Sequence, residues 1–196
     1  MEVDQAERFI LDLMRSSLPE SLYYHGLHHT LDVKDAAAIL AKEEGITDLP
    51  SLNLLRTAAL FHDSGFMKVY KDHEEKGCEI ARTELPEFGY SNVEIELICG
   101  MIMATKIPQN PKNHLEQIIC DADLDYLGRS DFEPVAKTLF HELKSRDLIS
   151  DEAQWNLIQI QFLESHYYHT NSAKARRNDE KQKHLNHLRE IVRHSD

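Results

Sequence analysis

His62-Asp63 places an imidazole next to a carboxylate at the end of the largely apolar run Leu52 to Phe61, where both side chains can turn toward one ion. Other ligands must come from elsewhere, and the chain offers His29 upstream and Asp123 downstream. A divalent cation held by two neutral imidazoles and two carboxylates keeps positions open for water. It lowers that water's pKa and draws charge from a phosphoryl oxygen. Spacing alone does not single out this set, because a chain with 12 histidines offers many combinations. A His-Asp pair is equally a helix-end cap.

The elements that must position these residues all read as helices. Phe9, Ile10, Leu13 and Met14 share one face of a first helix, which Ser17-Leu18-Pro19 ends. After Tyr24-His25-Gly26 a second helix runs from about His28 to Glu44, with Leu31, Ala38 and Ile39 expected inward and Gly45 as its stop. Ser51 is expected to cap the helix leading into His62-Asp63, and the Gly65-containing loop from Ser64 to Lys71 follows. Further helices are expected at His73 to Glu84, Ser91 to Ala104, Asn113 to Tyr126, Asp131 to Lys144, Asp151 to Tyr168 and Asn171 to Arg193. Pro86 with Gly89, Pro108 with Pro111, Gly128 and Ser150 separate them. The last helix carries a thin stripe of Ala175, Leu185, Leu188 and Ile191. No alternating β pattern or internal repeat breaks the series. The fold class is therefore all-α with about nine helices.

Composition narrows the partners. At 196 residues the chain fits one domain, and a formal charge of -12 excludes a nucleic-acid groove or an anionic membrane surface as a binding target. No stretch approaches the ~18 apolar residues of a membrane span, and the N-terminal segment lacks the basic start of a leader, so a cytoplasmic location is expected. Cys78, Cys99 and Cys120 are widely spaced and read as reduced core thiols.

Four sequence words resemble the HD superfamily of metal-dependent phosphohydrolases, in that family's order and over roughly residues 23 to 130. They are Tyr24-His25-Gly26-Leu27-His28-His29-Thr30-Leu31-Asp32-Val33, Ala58-Ala59-Leu60-Phe61-His62-Asp63-Ser64-Gly65-Phe66, His73-Glu74-Glu75-Lys76-Gly77 and Cys120-Asp121-Ala122-Asp123-Leu124-Asp125-Tyr126-Leu127-Gly128. The resemblance implies an HD helical bundle with a C-terminal helical extension, a single domain over 1–196 with its motif core at 23–130 and C-terminal helices at 131–196. The family's register selects His29 over His28, and an Ala-Asp-x-Leu word selects Asp123 over Asp121 and Asp125. On a helix Asp121 and Asp125 share a face while Asp123 points about 200° away, so only one choice can meet His62-Asp63.

The resemblance further implies one divalent ion (Mn, Mg, Fe, Co or Ni) on His29, His62, Asp63 and Asp123. His73 corresponds to the histidine that binds a second metal in two-metal members. The paired histidines those members show further on are replaced by Gly100 to Pro108, which argues for one ion rather than two and supplies Lys106 as a point charge for a substrate phosphate. His25 matches the proton donor of cyclic-nucleotide phosphodiesterases, although Gly26 replaces their Asn, and a solvated loop histidine is the simpler reading. Arg177 and Lys181 with His166 can reach a phosphate only if the last helix folds over the site. The words that mark cyclic-di-GMP and guanosine-tetraphosphate members are missing.

The expected activity is hydrolysis of a phosphoester, a nucleotide or cyclic nucleotide, by metal-activated water, with Asp63, His73 and Lys106 as the catalytic side chains. The competing reading is a catalytically silent HD module that binds nucleotide or serves as a scaffold. A homo-oligomer is compatible with either.

Overall fold

In the computed structural model, which describes residues 1–194, the described residues form nine α-helices and three 3₁₀ turns joined by short loops. The helices are α1 (Val3–Ser17), α2 (Leu27–Glu43), α3 (Leu49–Phe61), α4 (His73–Glu84), α5 (Asn92–Thr105), α6 (His114–Asp123), α7 (Phe132–Ser145), α8 (Glu152–Ser165) and α9 (Asn171–Arg193). The expected all-α architecture is what forms. No helix among the described residues is long and apolar enough to cross a membrane.

α3 is the axis of the bundle. Leu54, Leu55, Ala58, Ala59, Leu60 and Phe61 are all buried, so apolar groups face outward around most of its circumference and α1, α2, α5 and α6 pack around it. Its N-terminus differs from the expectation. Asp48, not Ser51, is the cap, accepting the Ser51 N–H at 2.9 Å, and Pro50 fills the first turn. α2 also differs: Ala38 and Ile39 face solvent, and the buried stripe is His29, Val33, Ala36, Ala37 and Leu40. That stripe follows the i, i+4 helical repeat, so the register that buries Val33 and Leu40 also buries His29.

Two hydrophobic clusters divide the molecule. The larger is built by α1 to α6, with Tyr168 and Ala173 closing it; the smaller joins Tyr24, Tyr126 and Leu127 to α7, α8 and α9. α9 enters through Ala173 rather than Ala175, which is exposed, and Ile191 is 38% exposed; Leu185 and Leu188 are buried as expected. α8 stops at Ser165, three residues short of the expected end, because Tyr168 turns inward to donate to the Leu124 carbonyl at 3.2 Å. All three cysteines are buried and unpaired.

The loop after α3 depends on a close approach. A Cβ on Gly65 would overlap the backbone of His73, so glycine lets the Ser64–Met67 turn lie flat against the start of α4. Gly65→Ala is expected to lower stability by about 3 kcal/mol through this overlap and to push His73 away from Asp63. Chemical denaturation reads the first effect, and the histidine side-chain NMR resonances read the second.

Candidate metal centre

His29, His62, Asp63 and Asp123 converge from three helix ends. His29 lies in the first turn of α2, His62 caps the C-terminus of α3 with Asp63 directly after it, and Asp123 is the last residue of α6. His29 Nε2 is 3.0 Å from Asp123 Oδ1 and 3.6 Å from Asp63 Oδ2. His62 Nε2 is 3.2 Å from Asp63 Oδ2 and 3.5 Å from Asp123 Oδ1. Ligand atoms about 2.1 Å from one ion stand about 3 Å from each other, the spacing seen here. The His62 Nδ1 faces the Ala59 carbonyl at 2.8 Å, so that nitrogen holds the proton and Nε2 is turned into the cluster.

The donor set fits a cation on a second count. His62 Nε2 and Asp63 Oδ2 are buried without an aligned hydrogen bond, a costly arrangement for a pair with no further partner. Burial drives the His62 pKa down, but Asp63 and Asp123 overcome it and raise it well above the ordinary histidine value. Burial likewise works to raise Asp63 and Asp123, and the facing imidazoles hold both below the usual carboxylate range. A concentration of negative charge in an apolar setting is what attracts a divalent ion.

His73 approaches the other side of Asp63, with Nε2 3.4 Å from Oδ1, and stacks on Phe66 at 3.8 Å between ring centroids. Burial lowers its pKa while Asp63 raises it, and the balance lies above the ordinary value. Lys106 is not brought to the cluster. It ends α5 as expected, but its ammonium is held by Asp72 Oδ1 at 2.8 Å and Glu75 Oε1 at 2.5 Å.

The acids on either side, Asp121 in α6 and Asp125 in the 3₁₀ turn after it, do structural work, which separates them from Asp123. Asp121 is fully buried and accepts the backbone N–H groups of His169 and Thr170 at 2.7 and 2.8 Å, together with the Thr170 hydroxyl at 2.7 Å; it fastens the chain entering α9. Asp125 holds Arg177 through two hydrogen bonds of 2.7 Å. Arg177 therefore does not point into the site, and Lys181 is occupied by His166. His166 lies apart from the cluster, with burial pushing its pKa down to about 3.

His25 differs from the solvated histidine expected. It is half-buried, stacks on Phe66 at 4.3 Å, and its Nδ1 meets Glu142 Oε1 at 2.5 Å, leaving Nε2 without a protein partner. Glu142 is the residue that sequence reasoning missed. It is fully buried in α7 and accepts the backbone N–H groups of Tyr24 and His25 at 2.9 and 3.1 Å and the Tyr70 hydroxyl at 3.0 Å. Burial would raise its carboxyl, yet the His25 contact and the backbone donors hold it below the usual range. The available signal was its place on the apolar stripe of Val135 and Leu139, where an acid is out of character.

A cavity of about 240 Å³ opens beside the cluster. Asp63, Asp123, His73 and His25 face it at one end; Leu139, Leu143, Trp155 and Phe162 from α7 and α8 form its body. The arrangement can hold a divalent ion beside a largely apolar chamber.

Residues 26–125 match the HD domain family. No curated relative matches the chain. A crystal structure of a predicted HD superfamily hydrolase from an uncultured Thermotogales bacterium is 20% identical, covers 96% of this chain and 92% of its own, and superposes with a TM-score of 0.60. Bacillus subtilis YpgQ in complex with ADP is 17% identical, covers 97% and 96%, and gives a TM-score of 0.65. Those likenesses bear on the fold, whereas the sequence match spans just over half of the residues and contains the converging histidines and aspartates. This chain belongs to the HD domain family.

Proposed function

We propose that the protein is a metal-dependent phosphohydrolase acting on a phosphoester of the nucleotide class. The observation that carries the reading is the set of His–Asp approaches of 3.0 to 3.6 Å that joins His29 and His62 to Asp63 and Asp123 beside a cavity, with His29, His62 and Asp123 mutually close enough for one ion. A divalent cation on these four residues would supply Lewis acidity toward a phosphoryl oxygen and a lowered pKa for water. Asp63 accepts a hydrogen bond from the attacking water and orients it. His73, with Nε2 3.4 Å from Asp63 Oδ1 and facing the cavity, stands where it can donate a hydrogen bond to the transferring group. His25, fixed through Nδ1 by Glu142, presents Nε2 to give a proton to the leaving oxygen. Lys106 has no part in this scheme while Asp72 and Glu75 hold it.

The nucleotide class is supported by YpgQ, whose structure contains ADP. The whole chain is read as one working domain, because α7 and α8, beyond the part that matches the family, wall the cavity. Elemental analysis of the purified protein is expected to give close to one divalent ion per chain. A panel of nucleotides assayed with Mn²⁺, Mg²⁺, Fe²⁺, Co²⁺ or Ni²⁺ is expected to release phosphate, and no release from any combination would overturn the reading.

A further inference from the structure

The cavity has two chemically unlike ends, and neither supplies a fixed cation. Asp63, Glu74 and Asp123 make one part of the lining acidic, with His25 and His73 beside them. Leu139, Leu143, Trp155, Ile158 and Phe162 form its apolar part, together with the rings of Tyr126 and Phe132. No lysine or arginine lines it among the described residues. Bases outside the lining have partners elsewhere: Lys106 pairs with Asp72 and Glu75, Arg177 with Asp125, and Arg146 lies over the face of Tyr70 at 4.0 Å and reaches Ser21, with its Nε buried and unpartnered. One phosphoryl group can be balanced at the cluster by a bound cation. A second or third phosphate would lie against carboxylates or hydrocarbon with nothing to replace its water.

The apolar end asks for a ring. Trp155, Phe132 and Phe162 offer flat surfaces, and burying a planar apolar group against them strengthens binding by about tenfold or more. Gln159 is the one amide at that end. It is 9% exposed, and its Nε2 makes only a long 3.4 Å contact with Asn156, so it remains available to a heteroatom on the ring edge.

We propose, resting on the hydrolase reading above, that the substrate carries a single phosphoryl group on a planar, largely apolar body, the chemistry shared by nucleoside monophosphates and aryl phosphates, and that di- and triphosphates are rejected. The discrimination comes from the absence of cations in the cavity, so it is reversible by design. Ile158, which lines the cavity and is 36% exposed, accommodates a lysine whose ammonium can remain hydrated.

The test uses the full chain loaded with Mn²⁺ and compares kcat/KM for AMP, ADP, ATP and 1-naphthyl phosphate. AMP or 1-naphthyl phosphate is expected to exceed ADP and ATP by about tenfold; equal or better turnover of ADP or ATP would overturn the proposal while leaving the hydrolase reading intact. Ile158→Lys is expected to shift the ratio severalfold toward ADP, and an unchanged ratio would remove the cavity as its origin. Gln159→Leu separates the two sources of the ring, lowering kcat/KM for AMP but not for 1-naphthyl phosphate if a nucleobase is the natural body. If nothing is hydrolysed, the hydrolase reading fails and calorimetry decides the rest: phenylphosphonate binding more tightly than methylenediphosphonate to the Mn²⁺-loaded protein upholds the selectivity, and the reverse order overturns it.

Discussion

Asp63→Ala is expected to lose its bound metal and to lower phosphate release by about a thousandfold or more, while the protein stays folded. Asp63 is the only one of the four residues that faces both the histidine cluster and the next catalytic side chain, through Oδ2 toward His62 and His29 and Oδ1 toward His73. Its removal takes away a ligand and the acceptor that orients water. It also frees His73 from the charge that raises its pKa. The fold should tolerate the change because His62, relieved of Asp63, is driven toward its neutral form by burial, which avoids an unpaired internal charge. Elemental analysis, circular dichroism and phosphate release on one preparation check the three expectations. A variant that keeps its metal and its activity would dismiss the cluster as the working centre. Asp63→Asn, which preserves shape, isolates the charge. The same variant separates an enzyme from a silent HD module, since a module would bind nucleotide as before and have no activity to lose.

The residues that converge here were readable because each sits inside a word fixed by local helix geometry. Val33 and Leu40 bury one face of α2 and carry His29 inward, and the 200° offset within Asp121-Ala122-Asp123 leaves only Asp123 for the cluster once Asp121 is committed to the chain entering α9. Pairings set by the tertiary fold were not readable. Lys106 ends its helix as its sequence suggests, but Asp72 and Glu75, more than thirty positions earlier, claim its ammonium. Glu142 meets His25 across 117 residues, and no local pattern announces that partnership. Ala38 and Ile39 face solvent because the small residues Ala36 and Ala37 let α2 approach α3 closely, a packing preference that apolar character alone does not express.

Glu142→Ala is expected to be the most destabilising single change, costing about 5 kcal/mol, because it strands buried donors rather than deleting one bond. Two backbone N–H groups, the His25 ring and the Tyr70 hydroxyl all converge on this carboxylate. Glu142→Gln keeps an oxygen for the two N–H groups and turns its amide toward His25 and Tyr70, so a loss of about 1 to 2 kcal/mol is expected. The pH dependence follows from the carboxyl's lowered pKa in the folded protein. A group depressed on folding contributes fully above its ordinary value of 4.5, and the contribution fades as pH falls through the folded value, so wild type and Glu142→Gln should converge in stability in acid. Urea denaturation at several pH values measures this; a gap that widens in acid would contradict the assignment. The same variant tests His25 as proton donor. Glu142 orients the His25 ring through Nδ1, and an amide in its place changes which ring nitrogen accepts and how the ring is held. kcat should then fall sharply for an alkyl phosphoester, whose leaving oxygen needs a proton, and little for p-nitrophenyl phosphate, whose leaving group departs unaided. Equal losses on both substrates would reduce Glu142 to a structural brace of the Tyr24-His25 loop.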